Sequence, residues 1–262
     1  MGKFKHGVEI TVAASSAKTV ALMLHGFGTD KNEVNNFFVD LAGKLESVNI
    51  SSLRVDFRGF GDNEELKTDS VTINTMVEDA WNALNYLKGN YPEHNIVVIG
   101  YSLGAYIGSF LGVEDVASFV GISPVNDAVE DLSIVLSKSV NDLAQSQEET
   151  HHFDLIWRTI DLKPGFFKSL SHSTTLGNLK KFKGDIQLVA GEGDFSSNNI
   201  KEIQRDIPRC KIKIIAGADH TFNCFDEAES SVEKVITYIS TAIGSVINNR
   251  GNDVIKEGPS PC

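Results

Sequence analysis

Ile96-Val97-Val98-Ile99-Gly100-Tyr101-Ser102-Leu103-Gly104-Ala105-Tyr106-Ile107 is the stretch on which the reading of the whole chain turns. Four β-branched residues in succession predict a strand buried on both faces, and the small residues from Leu103 onward predict a helix lying close to a neighbour. Between them stands Gly-x-Ser-x-Gly. A serine in so sharp a strand-to-helix turn needs neighbours without side chains two positions before and after it, which Gly100 and Gly104 supply. The turn lifts the Ser102 hydroxyl off the backbone and points the first helix amides at the space above it. The five letters alone arise by accident in roughly one chain of this length in ten. The weight therefore falls on the strand before and the helix after, without which Ser102 would be an incidental serine in a glycine-rich turn.

Working outward, strand and helix patterns alternate on both sides of this unit. Val8 to Val12 alternates as a half-exposed strand, and Thr19 to Leu24 reads as a buried strand running into His25-Gly26-Phe27-Gly28. An amphipathic segment from Glu33 to Glu46 completes a β-loop-α unit. Ser52 to Phe57 is the next strand, ending in Arg58-Gly59-Phe60-Gly61-Asp62, and a helix follows from about Thr72 to Lys88 with Met76, Val77, Ala80, Leu84 and Leu87 on one stripe. After the Ser102 unit, Ala117 to Ile122 is a short apolar strand. From Ser123 to about Lys183 the alternation stops: Asp127 to Leu143 carries apolar residues at helical spacing, and Glu148 to Ile160 does so less clearly, with no convincing strand between. This predicts an inserted small helical cap. The repeat resumes with the strand Ile186 to Ala190, the loop Gly191-Glu192-Gly193-Asp194 and a helix from Asn198 to Asp206. The strand Lys211 to Ile215, the loop Gly217-Ala218-Asp219-His220 and a helix from Asp226 to about Ile247 complete it. The expected division is an α/β core over residues 1–124 and 184–248, a cap over 125–183, and a flexible tail over 249–262, with no internal repeat.

The chain has 262 residues, of which 41% are apolar and 23% charged, proportions of a folded globular chain rather than a disordered one. Its 24 basic residues face 35 acidic ones, a net charge of −11, and this balance argues against nucleic acid or an anionic membrane as partner. The densest basic run, Lys180-Lys181-Phe182-Lys183, reads as a solvated loop. Cys210, Cys224 and Cys262 offer neither a disulfide framework nor zinc-ligand spacing and read as reduced thiols of a cytoplasmic protein. Met1-Gly2-Lys3-Phe4-Lys5-His6 lacks a signal-peptide apolar run, and His6 stands where a myristoylation signal has Ser or Thr. No apolar stretch approaches the ~18 residues of a membrane span.

Alternating strands and helices make a mostly parallel sheet, whose ligand sites lie beyond the carboxyl ends of the strands. Four loops at those ends carry suggestive chemistry: the one after His25, and those holding Ser102, Asp194 and His220. A serine hydroxyl is a poor nucleophile at neutral pH, so it requires a base, and the base requires an acid to hold its tautomer. Glu192 and Asp219 compete with Asp194 for that last role; Asp219 adjoins His220 in the chain, where neighbouring side chains point apart.

At these residues the sequence resembles the α/β-hydrolase family over nearly the whole chain up to about Ile247. His25-Gly26-Phe27-Gly28 looks like the family's oxyanion loop, Asp56-Phe57-Arg58-Gly59-Phe60-Gly61 like its loop after the following strand, and Gly100 to Gly104 like its nucleophile elbow. Asp194 and His220 sit where the family has its acid and base, in the chain order this fold uses. The compact cap and the His-Gly-Phe-Gly loop look most like small-cap serine esterases of the feruloyl-esterase and acyl-esterase kind. Two positions depart from the pattern: Asp194 is followed by Phe195-Ser196-Ser197-Asn198 rather than a Val-Pro type turn, and Asp62 stands where many members have Ser.

The resemblance implies a cytoplasmic serine hydrolase that cleaves carboxylic esters through an acyl-enzyme. Ser102 would be the nucleophile, His220 the base, Asp194 the acid, and the Phe27 and Leu103 amides the oxyanion donors. Phe27, Tyr101, Trp157 and Phe166 are expected to line the substrate site; for Tyr101 and Phe27 a plain core role is as good a reading, and for Phe153, Trp157, Phe166 and Phe167 a role in sealing the cap to the body. His25 is expected to brace its loop by hydrogen bonds, and His151, His152 and His172 to lie on a solvated cap surface. No metal or organic cofactor is implied. The expected partner is a small-molecule ester, with no membrane insertion and with a homodimer left open. A thioesterase or peptidase on the same residues is the alternative, and a non-catalytic ligand-binding module the rival from another class. Against the rival, a binder has no need to keep three reactive residues together.

Overall fold

Apolar residues occupy both pleat faces of these strand segments, and such strands are stable only inside a sheet covered on both sides. The computed structural model, which describes residues 8–11, 17–66, 71–112, 116–155, 158–170, 173–223 and 231–253, is built around one. In chain order the elements are β1 (Val8–Thr11), β2 (Thr19–Leu24), α1 (Phe37–Ser47), β3 (Ser51–Val55), α2 (Ile73–Asn90), β4 (Asn95–Tyr101), α3 (Leu103–Ser109) and β5 (Ser118–Ile122). There follow α4 (Ala128–Leu136), α5 (Val140–Gln145), β6 (His151–Asp154), β7 (Thr159–Leu162), α6 (Pro164–Ser169) and α7 (Thr175–Leu179). The chain then continues with β8 (Asp185–Gly191), α8 (Ser196–Asp206), β9 (Lys211–Ile215) and α9 (Ser231–Asp253). The main sheet has the order β1-β3-β2-β4-β5-β8-β9. β1 pairs antiparallel with β3, and the other six strands run parallel.

The period of two divides each central strand between two apolar layers. In β4, Ile96 and Val98 pack into the cluster that holds Met76 of α2, Ile107 of α3 and Ile200 of α8. Val97 and Ile99 pack into the opposite cluster with Leu41 of α1 and Val235 of α9. β2 divides in the same way, Leu22 and Leu24 to one side, Ala21 and Met23 to the other. Each large side chain so buried contributes about 1.5–3 kcal/mol.

The insertion between β5 and β8 is helical with one addition. The stretch expected to be a weak helix over 148–160 contains half of a hairpin, β6 paired antiparallel to β7 from His151↔Leu162 to Asp154↔Thr159. Burial alternates along both strands. Phe153 and Ile160 stand seven apart, a spacing that fits a helical stripe as well as the buried face of a hairpin. The two ends of the insertion meet: Thr175 donates from its amide to Asn126 O (3.0 Å) and from its hydroxyl to Val125 O (2.7 Å). Asp131 of α4, buried, accepts from the Asn126 amide (2.7 Å) and from Asn199 of α8 (2.9 Å), so α4 is tied to the body. At the C-terminal end α9 runs past Asn248 to Asp253, into the segment expected to be a flexible tail. Residues 254–262, and Asp226 at the expected helix start, lie outside the described residues. Among the described residues no helix is long and apolar enough to cross a membrane.

α3 lies unusually close to the sheet. A β-carbon on Gly104 would run into the carbonyl oxygens of Leu24 and His25, and one on Gly100 into the backbone of Ala105. Gly104→Ala is therefore expected to destabilise the fold by about 3 kcal/mol or more, read as a lower urea midpoint at unchanged slope. An unchanged midpoint would mean that α3 can back away freely.

Candidate active site

The loops after β2, β4, β8 and β9 converge at the carboxyl edge of the sheet. Ser102, between β4 and α3, has φ 51° and ψ −116°, a strained conformation for a residue with a β-carbon, and its amide is anchored on Ile122 O at 2.8 Å. Its Oγ stands 3.1 Å from His220 Nε2, and His220 Nδ1 stands 2.9 Å from Asp194 Oδ2. The carboxylate accepts a hydrogen bond from Nδ1–H, which leaves the Nε2 lone pair facing the serine hydroxyl. The structure thus joins Ser102, His220 and Asp194 in one line of hydrogen bonds. The competing carboxylates are engaged elsewhere: Glu192 is exposed and accepts the Gly217 amide (3.0 Å). Asp219 accepts the amides of Thr221 (2.8 Å) and Asn223 (2.9 Å).

Several groups that sequence reasoning missed hold this line in place. Phe195 stacks on the His220 ring at 5.3 Å between centroids and 19° between planes, and the Ser196 hydroxyl donates to Asp194 Oδ2 beside the histidine. Phe195-Ser196 therefore does positional work where the family pattern has a Val-Pro type turn. The His220 carbonyl accepts from the Tyr101 hydroxyl (2.8 Å) and the Ser123 hydroxyl (3.0 Å). Ring and backbone of the histidine are fixed independently.

Two backbone amides belong to the loops that adjoin Ser102. Leu103 heads α3, where a first-turn amide has no carbonyl one turn back to accept it, and Phe27 follows β2 in the His-Gly-Phe-Gly loop. Among the described residues neither amide donates to another backbone group outside regular helix and strand pairing. His25 braces this loop. Its Nε2 accepts the Phe57 amide (3.1 Å), so Nδ1 carries the proton and donates to Gly26 O (2.8 Å). Burial lowers its pKa, so the imidazole stays neutral. Asp56, at the end of β3, accepts the Lys31 amide (2.6 Å) and the Asp62 amide (2.9 Å), while Lys31 Nζ reaches both Asp56 (3.1 Å) and Asp62 (2.6 Å). The Asp62 that departs from the family pattern is thus an ion-pair partner of Lys31, three residues after the His25-Gly26-Phe27-Gly28 loop.

A pocket of about 360 Å³, mouth included, opens over Ser102. Phe27, Val34 and Tyr101 line it from the body, and Leu132 and Val135 of α4 from the insertion. Phe27 and Tyr101 are among these lining residues, and Phe166 takes the other of the two places expected for it. It is 1% exposed, with its ring 5.6 Å from Phe27 and 5.3 Å from Phe167, so it packs behind Phe27 and seals the insertion to the body. The Phe166 ring is tilted by 34° to that of Phe27 and stands edge-on to Phe167 at 87°, packing geometries that aromatic pairs favour. Phe153 and Phe167 are buried in the same cluster. Trp157, His172, Cys224 and Cys262 lie outside the described residues. His151 is buried, contrary to a solvated cap surface, whereas exposed His152 pairs with Asp161 at 2.6 Å. Burial pushes the free Cys210 thiol up to about 12.

Glu33 also faces this pocket, at the start of the segment read as an amphipathic helix. Its carboxylate accepts the Gly26 amide at 2.6 Å, and burial pushes its pKa up to about 7. The acidic residues differ in their partners, Asp194 meeting His220 and Glu192 the Gly217 amide. Asp194→Asn is expected to lower kcat by about 10⁴, because an amide does not stabilise an imidazolium, while Glu192→Gln changes kcat less than about threefold. Equal and mild losses from the two, measured on one small ester, would move the acid elsewhere.

Residues 15–151 match the family model described as "Serine aminopeptidase, S33". Protein phosphatase methylesterase 1 of Bos taurus is 24% identical over 176 residues, which are 65% of this chain and 44% of that protein. The match therefore spans less than half the length of that relative. Among solved structures, Est1E from Butyrivibrio proteoclasticus with ferulic acid bound superposes with a TM-score of 0.75 at 16% identity, over 93% of this chain and 96% of that one. The esterase domain of a Rhodothermus marinus protein superposes with a TM-score of 0.63 at 16% identity, over 91% and 92% of the two chains. The shared architecture is the α/β-hydrolase fold, six parallel strands flanked by helices. With more than half of its length matched by that family model, including the strand, elbow and helix around Ser102, the chain belongs to the serine aminopeptidase family of α/β-hydrolases.

Proposed function

We propose that this protein is a serine hydrolase that cleaves small carboxylic esters through an acyl-enzyme on Ser102. The observation that carries the reading is the unbroken line from Ser102 Oγ through His220 to Asp194, and the amides of Phe27 and Leu103 are assigned as the oxyanion donors. Ser102 Oγ adds to the ester carbonyl carbon while His220 Nε2 takes its proton, and the new oxyanion lies between the two amides. A single such donor is worth about 10²–10³ in kcat. Asp194 stabilises the imidazolium, which then protonates the leaving alcohol as the carbon–oxygen bond breaks. Water enters, gives a proton to His220 and its oxygen to the acyl carbon, and the acid departs as Ser102 recovers its proton. Names of the relatives support ester as the bond: the curated ones are methylesterases and the structural neighbours include esterases. The family's description favours a second reading, cleavage of an amide bond by the same groups. Residues 125–183 act as the cap that sets acyl preference, through Leu132 and Val135. The buried free thiol of Cys210 suits a reducing, cytoplasmic location.

Ser102→Ala is expected to abolish hydrolysis of p-nitrophenyl acetate, with kcat down by about 10⁴–10⁶, and to end labelling by a fluorophosphonate. Activity within tenfold of the parent would sink the assignment. An aminoacyl p-nitroanilide turned over faster than the acetate ester would favour the peptidase reading. Leu132→Ala is expected to raise kcat/KM for a bulky acyl ester relative to acetate by about tenfold, the worth of a few buried methylenes. An unchanged ratio would remove α4 from the substrate site.

A further inference from the structure

The mechanism leaves unused one ionisable side chain inside the pocket. Glu33 is 7% exposed, and its backbone sits at φ 63° and ψ 171°, a region essentially reserved for glycine. The surrounding contacts hold a strained residue there, and what the strain delivers is a carboxylate beneath the oxyanion loop. Its Oε2 accepts the Gly26 amide at 2.6 Å and lies 3.1 Å from the Thr29 hydroxyl, and its Oε1 accepts the Val34 amide at 3.0 Å. A β-carbon placed on Gly26 would stand 3.4 Å from both Glu33 Oε2 and Ser102 Cβ, so the carboxylate and the nucleophile flank the same residue.

We propose that Glu33 is a positioning residue: its ionised carboxylate pins the peptide before Gly26, so that the peptide after Gly26 presents the Phe27 amide to the oxyanion formed at Ser102. This rests on the reading of Ser102 and Phe27 given above. The two peptide units that meet at Gly26 are each held by a side chain. Glu33 holds the Gly26 N–H of the first, and His25 Nδ1 holds the Gly26 C=O of the second at 2.8 Å. A trans peptide points its N–H opposite to its C=O. The bond to Gly26 O therefore turns the Phe27 N–H away from His25, and the bond from the Gly26 N–H to Glu33 fixes the first unit against which the second could otherwise swivel about Gly26, which lacks a side chain of its own to limit it.

The charge state of Glu33 decides whether this works, since only the carboxylate accepts at both oxygens. Burial raises its pKa to about 7; the Gly26 and Val34 amides, the Thr29 hydroxyl and His220 oppose the rise. The titratable groups around it are His220 after β9, the Tyr101 phenol at the end of β4, Asp194 beyond them, and His25 on its own loop. Burial holds Tyr101 protonated, and burial holds His25 neutral. Glu33 is therefore protonated as pH falls below about 7, and the clamp on the loop weakens in the same range. The stability consequence has the opposite sense. A carboxyl with a raised folded pKa favours folding below its ordinary value of 4.5, and that contribution is lost as pH rises through about 7.

The test is Glu33→Gln, which keeps volume and one acceptor but no charge, compared with Ser102→Ala and Thr29→Val on p-nitrophenyl acetate. At pH 8 the Gln variant should lose about tenfold in kcat, the difference between a charge-assisted and a neutral hydrogen bond, with KM within about twofold. On the acid side, log kcat/KM of the parent should fall with a slope steeper than one, and that of Glu33→Gln with a slope of one. Thr29→Val, which removes a bond that favours the ionised form, should move the parent's acid limb to higher pH. The melting temperature of Glu33→Gln relative to the parent should rise between pH 5 and pH 8, which reports a folded variant free of a buried charge. If Ser102→Ala stays active, the reading of the site fails. If Ser102→Ala is dead while Glu33→Gln keeps full kcat and the parent's slope, the inference about Glu33 fails alone.

Discussion

Everything at the carboxyl edge of the sheet depends on how closely α3 can approach β2 and β4. Gly100 and Gly104 let two backbones touch, and no side chain fits at either contact. The closeness makes the turn between them so tight that Ser102 takes a positive φ of 51°. The strain is local, and two central strands with apolar cover on both faces absorb it, so the site gains a rigid origin for every other distance.

Loops that leave adjacent strands still have to be held to one another, and here buried polar groups do so. His25 reaches from the end of β2 to the Phe57 amide after β3, while Asp56 reaches back to the Lys31 amide. Tyr101 and Ser123, after β4 and β5, both seize the carbonyl of His220 after β9. A buried polar atom is costly without a partner, so each of these bonds excludes the alternatives that would leave it unpaired. Five strand ends are thereby locked into one arrangement without a disulfide or a metal among the described residues.

Strand-loop-helix order was legible because the sheet imposes a strict period on its residues, and the elbow because glycine spacing encodes the contact it permits. With the strands in place, the loops of Ser102, Asp194 and His220 could only emerge at one edge. Other features carry no local signal. Glu33 has the composition of a solvated first turn; only a positive φ and the packing of a distant loop send its carboxylate inward. Phe195 reads as an apolar residue opening a helix, and its contact with His220 joins segments that are 25 positions apart, so no short-range pattern reports it. The hairpin of β6 and β7 was missed because two strands of four residues each offer too few positions to separate a period of two from one of 3.6. For Phe166 the sequence leaves both cleft and seal open, because composition does not say which side of Phe27 an aromatic will choose.

The meeting of the insertion's two ends, where Thr175 bonds back to Val125 and Asn126, makes the segment between them a closed excursion that starts and finishes at the same point on the sheet. For such an excursion the cost of length is that of closing a loop, which grows only with the logarithm of residue number, by about 0.6 kcal/mol per doubling. β5 and β8 remain neighbours whatever lies between them, since their pairing runs from Ser118↔Asp185 to Ile122↔Val189 and draws nothing from the insertion. The body is in this sense a socket: segments of different length and composition can be exchanged over one unchanged set of reactive groups. Divergence of what the site accepts, by whole-segment replacement, is then a cheaper path than rebuilding the walls of the pocket residue by residue.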